Sequence, residues 1–114
     1  MSDLHASAKA EQYRQEIKSS LEKLRGAIMA RVPPREQGQF LDVVDRIQEQ
    51  VLGTSNQYEQ VQSTLQLSRD TTRRILRTKP IVMVELLNEL DGIEEEVTAL
   101  FQLLTRGPGG AGPA

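Results

Sequence analysis

Cysteine and tryptophan are absent, histidine occurs once (His5), and the aromatics number four: Tyr13, Phe40, Tyr58 and Phe101. Without thiols there is no disulfide framework, no thiolate zinc site and no cysteine nucleophile, and a route through an oxidising compartment has no support. His5 alone, near the start of the chain, gives no basis for a Ser–His triad or a helical Glu-x-x-His metal site. No Gly-rich loop follows a strand pattern, so the common nucleotide-phosphate cradles are missing. No apolar run approaches the ~20 residues that span a bilayer, and the polar opening Met1 to His5 lacks the basic start and apolar stretch of a leader. The expectation is a soluble, cytoplasmic protein, non-enzymatic, with neither metal nor cofactor.

What the 114 residues do contain is helix-forming material: Ala, Glu, Lys, Leu and Arg supply 47 of them and Gln another 11. That composition belongs to long helices and coiled coils and argues against a strand-rich fold. Apolar residues make up 38% of the chain, too many for disorder but with few large side chains, so a partner or self-association is expected to complete the core. The fold class expected is all-α, a helical bundle or coiled-coil assembly in one domain over residues 1–106. A disordered Gly/Pro-rich tail is expected over 107–114, where the sequence reads Gly-Pro-Gly-Gly-Ala-Gly-Pro-Ala.

Three segments carry helical periodicity. From about Asp3 to Arg31, Tyr13, Ile17, Leu21, Leu24, Ile28 and Val32 form one stripe, which Val32-Pro33-Pro34 ends. Pro34 then suits the first turn of a second helix. There Phe40, Val44, Ile47, Val51, Thr54, Tyr58, Val61, Leu65, Ser68, Thr72 and Ile75 alternate in steps of four and three, a heptad register without a slip. The unbroken phase favours one helix from about Glu36 to Thr78, about 65 Å long at ~1.5 Å per residue. Gly53, and Asn56 with Glu59 as a capping box, favour instead two helices joined by a tight turn, four in all. After Lys79-Pro80 a third segment repeats the alternation with Met83, Leu86, Leu90, Ile93, Val97, Leu100 and Leu104, widened by Leu87 and Phe101.

The near-neutral total of −2 hides strong local polarity: +4 over residues 69–79 and −6 over 80–105. Arg69, Arg73, Arg74 and Arg77 lie on one helix, and Glu85, Glu89, Glu94, Glu95 and Glu96 on the next. An antiparallel hairpin about Pro80 would lay the two against each other; arginines turned outward would instead grip an acidic protein or lipid headgroups. Nucleic acid is disfavoured, because the acidic helix repels phosphates and no aromatics are interleaved with the basic residues. Glu85 with Glu89, or Asp42 with Asp45 and Glu49, share a helix surface, a spacing that solvated faces explain as well as cation binding does. Thr54, Ser68 and Thr72 are polar interruptions of the seam that can fix register.

Two stretches, about 21 residues together, carry a resemblance. Pro34 to Val44 resembles the start of a bundle helix in the CheZ family of chemotaxis phosphatases, and Met83 to Gly92 resembles the segment leading into that family's Asp-Leu-Thr-Gly-Gln motif. The resemblance implies a regulator or phosphatase acting on a response-regulator receiver domain, with Glu89 in the acidic position. The sequence departs from the motif where Ile93 replaces the glutamine that orients the attacking water. Residues 93–100 are also similar to coiled-coil subunits of lysosome-related trafficking complexes.

The residues themselves lead to a non-enzymatic assembly subunit or adaptor that binds itself or helical partners through its seams. The expected interface is Phe40, Val44, Ile47, Val51, Tyr58, Val61 and Leu65 with Met83, Leu86, Leu90, Ile93, Val97, Leu100 and Leu104. The charged stretches would select the partner.

Overall fold

The computed structural model describes residues 2–52 and 58–110, with side chains described over 8–52 and 58–104. Among the described residues the chain is all-helical: α1 (Ser2–Arg31), α2 (Pro34–Leu52), α3 (Tyr58–Ile75) and α4 (Pro80–Gly110). Residues 107–110 of the expected tail are helical and continue α4, while 111–114, and Gly53, Thr54 and Asn56, lie outside the described residues.

Proline chemistry sets two of the turns. The Val32 amide still bonds the Ile28 carbonyl at 2.9 Å, closing the last turn of α1 before Pro33 interrupts the ladder. Gln37 then reaches back, its amide donating to the carbonyls of Val32 at 2.9 Å and Met29 at 3.2 Å, two of the acceptors that a helix end leaves without partners. Pro34 opens α2 and Pro80 opens α4, positions where the absent amide hydrogen costs nothing.

The expectation of one continuous helix over 36–78 is corrected. α2 and α3 pack against each other antiparallel, with Thr64 donating to Gln50 at 2.8 Å and Arg74 to Gln39 at 3.2 Å. The heptad phase survives because the last core residue of α2, Val51, and the first seam residue of α3, Tyr58, are seven positions apart. A break between helices that spans one whole heptad leaves the phase unchanged.

Neighbouring helices alternate in direction around a ring, α1 beside α2, α2 beside α3, α3 beside α4 and α4 beside α1. This is an up-down-up-down four-helix bundle. It measures 51 × 22 × 22 Å, a cross-section that suits four helices at the usual 8–10 Å spacing. One core runs through it: Ile17, Leu21, Leu24 and Ile28 of α1, Phe40, Val44, Ile47 and Val51 of α2, Val61 and Leu65 of α3, and Leu86, Leu90, Ile93, Val97 and Leu100 of α4. The inner face of α3 is otherwise polar and small, with Thr64, Ser68, Thr71 and Thr72 buried. Three of these hydroxyls bond carbonyls one turn back in their own helix: Thr64 to Gln60 at 2.9 Å, Ser68 to Thr64 at 3.0 Å and Thr72 to Ser68 at 2.7 Å. They therefore enter the core without leaving a donor unmatched.

Candidate functional site

Of the fourteen residues expected at an interface, eleven are buried in the chain's own core: Phe40, Val44, Ile47, Val51, Val61, Leu65, Leu86, Leu90, Ile93, Val97 and Leu100. Tyr58, Met83 and Leu104 are half-buried and pack against it. A partner helix could reach the eleven only if the bundle opened. Periodicity located the apolar face correctly, but periodicity is the same whether the face meets its own chain or another. Leu76, fully buried just after α3, was missed because the seam steps four residues from Thr72, whose carbonyl the Leu76 amide still bonds at 2.9 Å, where the alternation in the sequence stepped three to Ile75.

The charged set divides. Arg69, only 12% exposed, lies between α3 and α4 and bonds Asp91 at 3.2 Å and Glu94, which closes the hairpin about Pro80 by charge. Arg73 pairs along its own helix with Asp70 at 3.6 Å, and Arg74 donates to the neutral Gln39. Arg77 is exposed and has no carboxylate within ion-pair distance among the described residues. Glu85 takes Arg31 of α1, and Arg25 takes Asp45, so ion pairs also tie α1 to α4 and α1 to α2. Glu95 points to solvent.

Glu89 and Glu96 face a groove between α1 and α4, about 430 Å³ in volume, lined with Ser20, Glu85, Asn88, Gly92 and Ile93. Burial raises the pKa of the Glu96 carboxyl above its ordinary value and the nearby Glu16 adds to the shift, while a hydrogen bond with Ser20 opposes it. Its Oε1 is buried with no hydrogen-bond partner. The groove holds three carboxyl groups, Glu85, Glu89 and Glu96, with the Ser20 hydroxyl and the Asn88 amide beside them and no cationic side chain in its lining. Ile93, one turn after Glu89, is fully buried and apolar, so it supplies nothing to orient a water. Glu85 and Glu89 line this same groove, and no group of three or more His, Cys, Asp or Glu residues among the described ones is placed to hold a metal ion. No helix among the described residues is long and apolar enough to cross a membrane.

No family model, no curated protein and no solved structure matches the chain.

Proposed function

We propose that the protein is a non-enzymatic assembly subunit or adaptor, a helical bundle that adds helices of another chain, or of a second copy, to the open side of its longest pair. The supporting observation is the unequal length of the helices. The Arg25–Asp45 pair sets Leu52, the end of α2, level with about residue 18 of α1. The 3.1 Å hydrogen bond between Tyr58 and Thr98 sets the start of α3 level with Thr98, a little past the middle of α4. Beyond those levels α1 continues to Ser2 and α4 to Gly110, by about 24 Å and 18 Å at ~1.5 Å per residue.

Along this arm the flanks of α1 and α4 that α2 and α3 cover elsewhere have no neighbouring helix among the described residues. Tyr13, Leu103 and Leu104 are half-buried there, continuing the seam outward from the tilted ring pair Tyr58 and Phe101, whose centroids are 5.1 Å apart. Two helices laid against the arm would complete a four-helix cross-section and finish burying these side chains. Of the expected interface residues, Leu104 carries this role, and the deeply buried ones hold the bundle itself together.

The test is sedimentation velocity over a concentration series, together with capture of stoichiometric partners at mild salt, for the wild type and Leu104→Asp. Assembly that Leu104→Asp abolishes, with helicity unchanged, agrees with the reading. A chain that stays monomeric and captures nothing contradicts it.

A further inference from the structure

We propose that the end of the bundle formed by the α1–α2 and α3–α4 turns docks on an anionic membrane surface, with Arg35, Arg77 and Lys79 against lipid phosphates and Ile81 and Val84 seated among the headgroups. This goes beyond the adaptor reading, which concerns the opposite end of the rod, and the two fail separately.

Charge is unevenly distributed along the rod. Residues 27–36 and 70–86 gather at this end and hold six cations against three carboxylates, Glu36, Asp70 and Glu85. Asp70 and Glu85 are already engaged by Arg73 and Arg31. Arg35, Arg77 and Lys79 are exposed and have no carboxylate within ion-pair distance among the described residues. The other described side chains carry seven cations against twelve carboxylates, and the excess falls on the flanks, since the far end, residues 8–17 and 98–104, balances Lys9 and Arg14 against Glu11 and Glu16. A planar anionic surface therefore repels the flanks and attracts this end, which orients the molecule end-on within about a Debye length of contact.

Apolar exposure falls at the same place. Ile81 is 78% exposed and Val84 51%, among the few large hydrophobic side chains left in solvent. Three residues apart on α4, they share the face turned away from the buried Leu86 and Leu90. The register set by Arg69 with Asp91 and Glu94 brings Val84 level with the end of α3, beside Arg77 and Lys79. Apolar side chains ringed by unpaired guanidinium and ammonium groups match the layered chemistry of a bilayer surface, phosphate outside and hydrocarbon beneath. An acidic helix from a protein would satisfy the cations equally. It would not account for their placement at the blunt tip of a rod about 22 Å across with acidic sides, the shape that suits a plane.

The test is flotation of the purified chain with vesicles of phosphatidylcholine alone or mixed with phosphatidylserine. Wild type, the double variant Arg77→Glu with Lys79→Glu, Ile81→Asp and the flank variant Arg46→Glu are compared, with circular dichroism reporting folding. All four substituted positions are exposed, so the helical signal is expected to persist. Juxtamembrane cations contribute about fivefold each, so the double reversal should weaken binding by at least about twentyfold. Ile81→Asp should weaken it further, Arg46→Glu should leave it unchanged, and raised salt should release the wild type. Equal flotation with neutral vesicles overturns the proposal, as does equal loss in Arg46→Glu. Failure to float with anionic vesicles combined with salt-sensitive retention on polyglutamate overturns it in favour of an acidic protein surface.

Discussion

Replacing Leu90 by alanine separates a seam closed within one chain from a seam shared between chains. Leu90 is 1% exposed on the inner face of α4, among Leu86, Ile93 and Val97, so the substitution removes buried methyl groups and leaves a void that the neighbouring helices only partly fill. Large-to-small changes at such sites cost 2–5 kcal/mol, and about 3 kcal/mol is the expectation here. With a urea dependence of about 2 kcal/mol per molar for a domain of this size, the unfolding midpoint should fall by about 1.5 M with the slope unchanged. The decisive feature is concentration. Measured in the Leu104→Asp background, which removes association through the arm, a seam closed within the chain gives midpoints for the parent and for Leu90→Ala that are each the same at protein concentrations tenfold apart. A shared seam makes both midpoints rise with concentration, because association and folding are then one equilibrium. Urea unfolding followed by circular dichroism provides both readings. A loss under about 1 kcal/mol, or a midpoint that climbs with concentration, would refute the internal seam. Leu90→Asp, the substitution the periodicity singles out for breaking assembly, puts a carboxylate into this core and so reports on folding first.

Three further outcomes follow from particular residues. Gly38 is an exposed mid-helix position where a new Cβ meets nothing within 4 Å, so Gly38→Ala should stabilise by about 0.5–1 kcal/mol in the same urea assay. Arg69→Ala leaves Asp91 and Glu94 without their shared cation, and the loss should be about 1.5–3 kcal/mol, with a double-mutant cycle showing coupling to Glu94 and none to the exposed Glu95. Glu96 has its folded pKa above its ordinary 4.5, so the folded state holds its proton more tightly and the group favours folding most below that value. That contribution is lost as pH rises through the raised pKa, so Glu96→Gln should be more stable than wild type at pH 7 and lose that advantage in acid, read from thermal melts across pH.

Helix positions and inward faces were legible in the sequence because their causes are local. Val32-Pro33-Pro34 and Lys79-Pro80 stop and start helices through backbone sterics, and the four-three spacing on α2 and α4 marks the buried side of each. The break between α2 and α3 was not legible from phase, since the spacing from Val51 to Tyr58 is a full heptad. Destination was the larger blind spot. Ile47 and Leu90 have the same pattern in a self-contained bundle as in a coiled coil between chains, and only the folded ring of four helices assigns them to one chain. Charge behaved in a mixed way. The opposition of residues 69–79 to 80–105 was visible, but which arginine is used inside depends on register: Arg69 meets Asp91 and Glu94, whereas Arg77, two turns on, passes the end of the acidic face and stays in solvent. The small polar face of α3 was legible as an interruption, and its acceptance into the core depends on carbonyls one turn back that a spacing argument does not consult.

The most direct measurement is a spin-label distance across the α2–α3 hairpin. The chain has no cysteine of its own, so Gln39→Cys with Arg74→Cys provides two unique sites, and dilution with unlabelled protein removes distances between chains. The folded bundle places these positions side by side on adjacent helices, so the backbones should lie about 10 Å apart and the labels close to that separation. A continuous helix from α2 through α3 would instead hold the two positions about 52 Å apart, and a distance near that value would contradict the closed bundle.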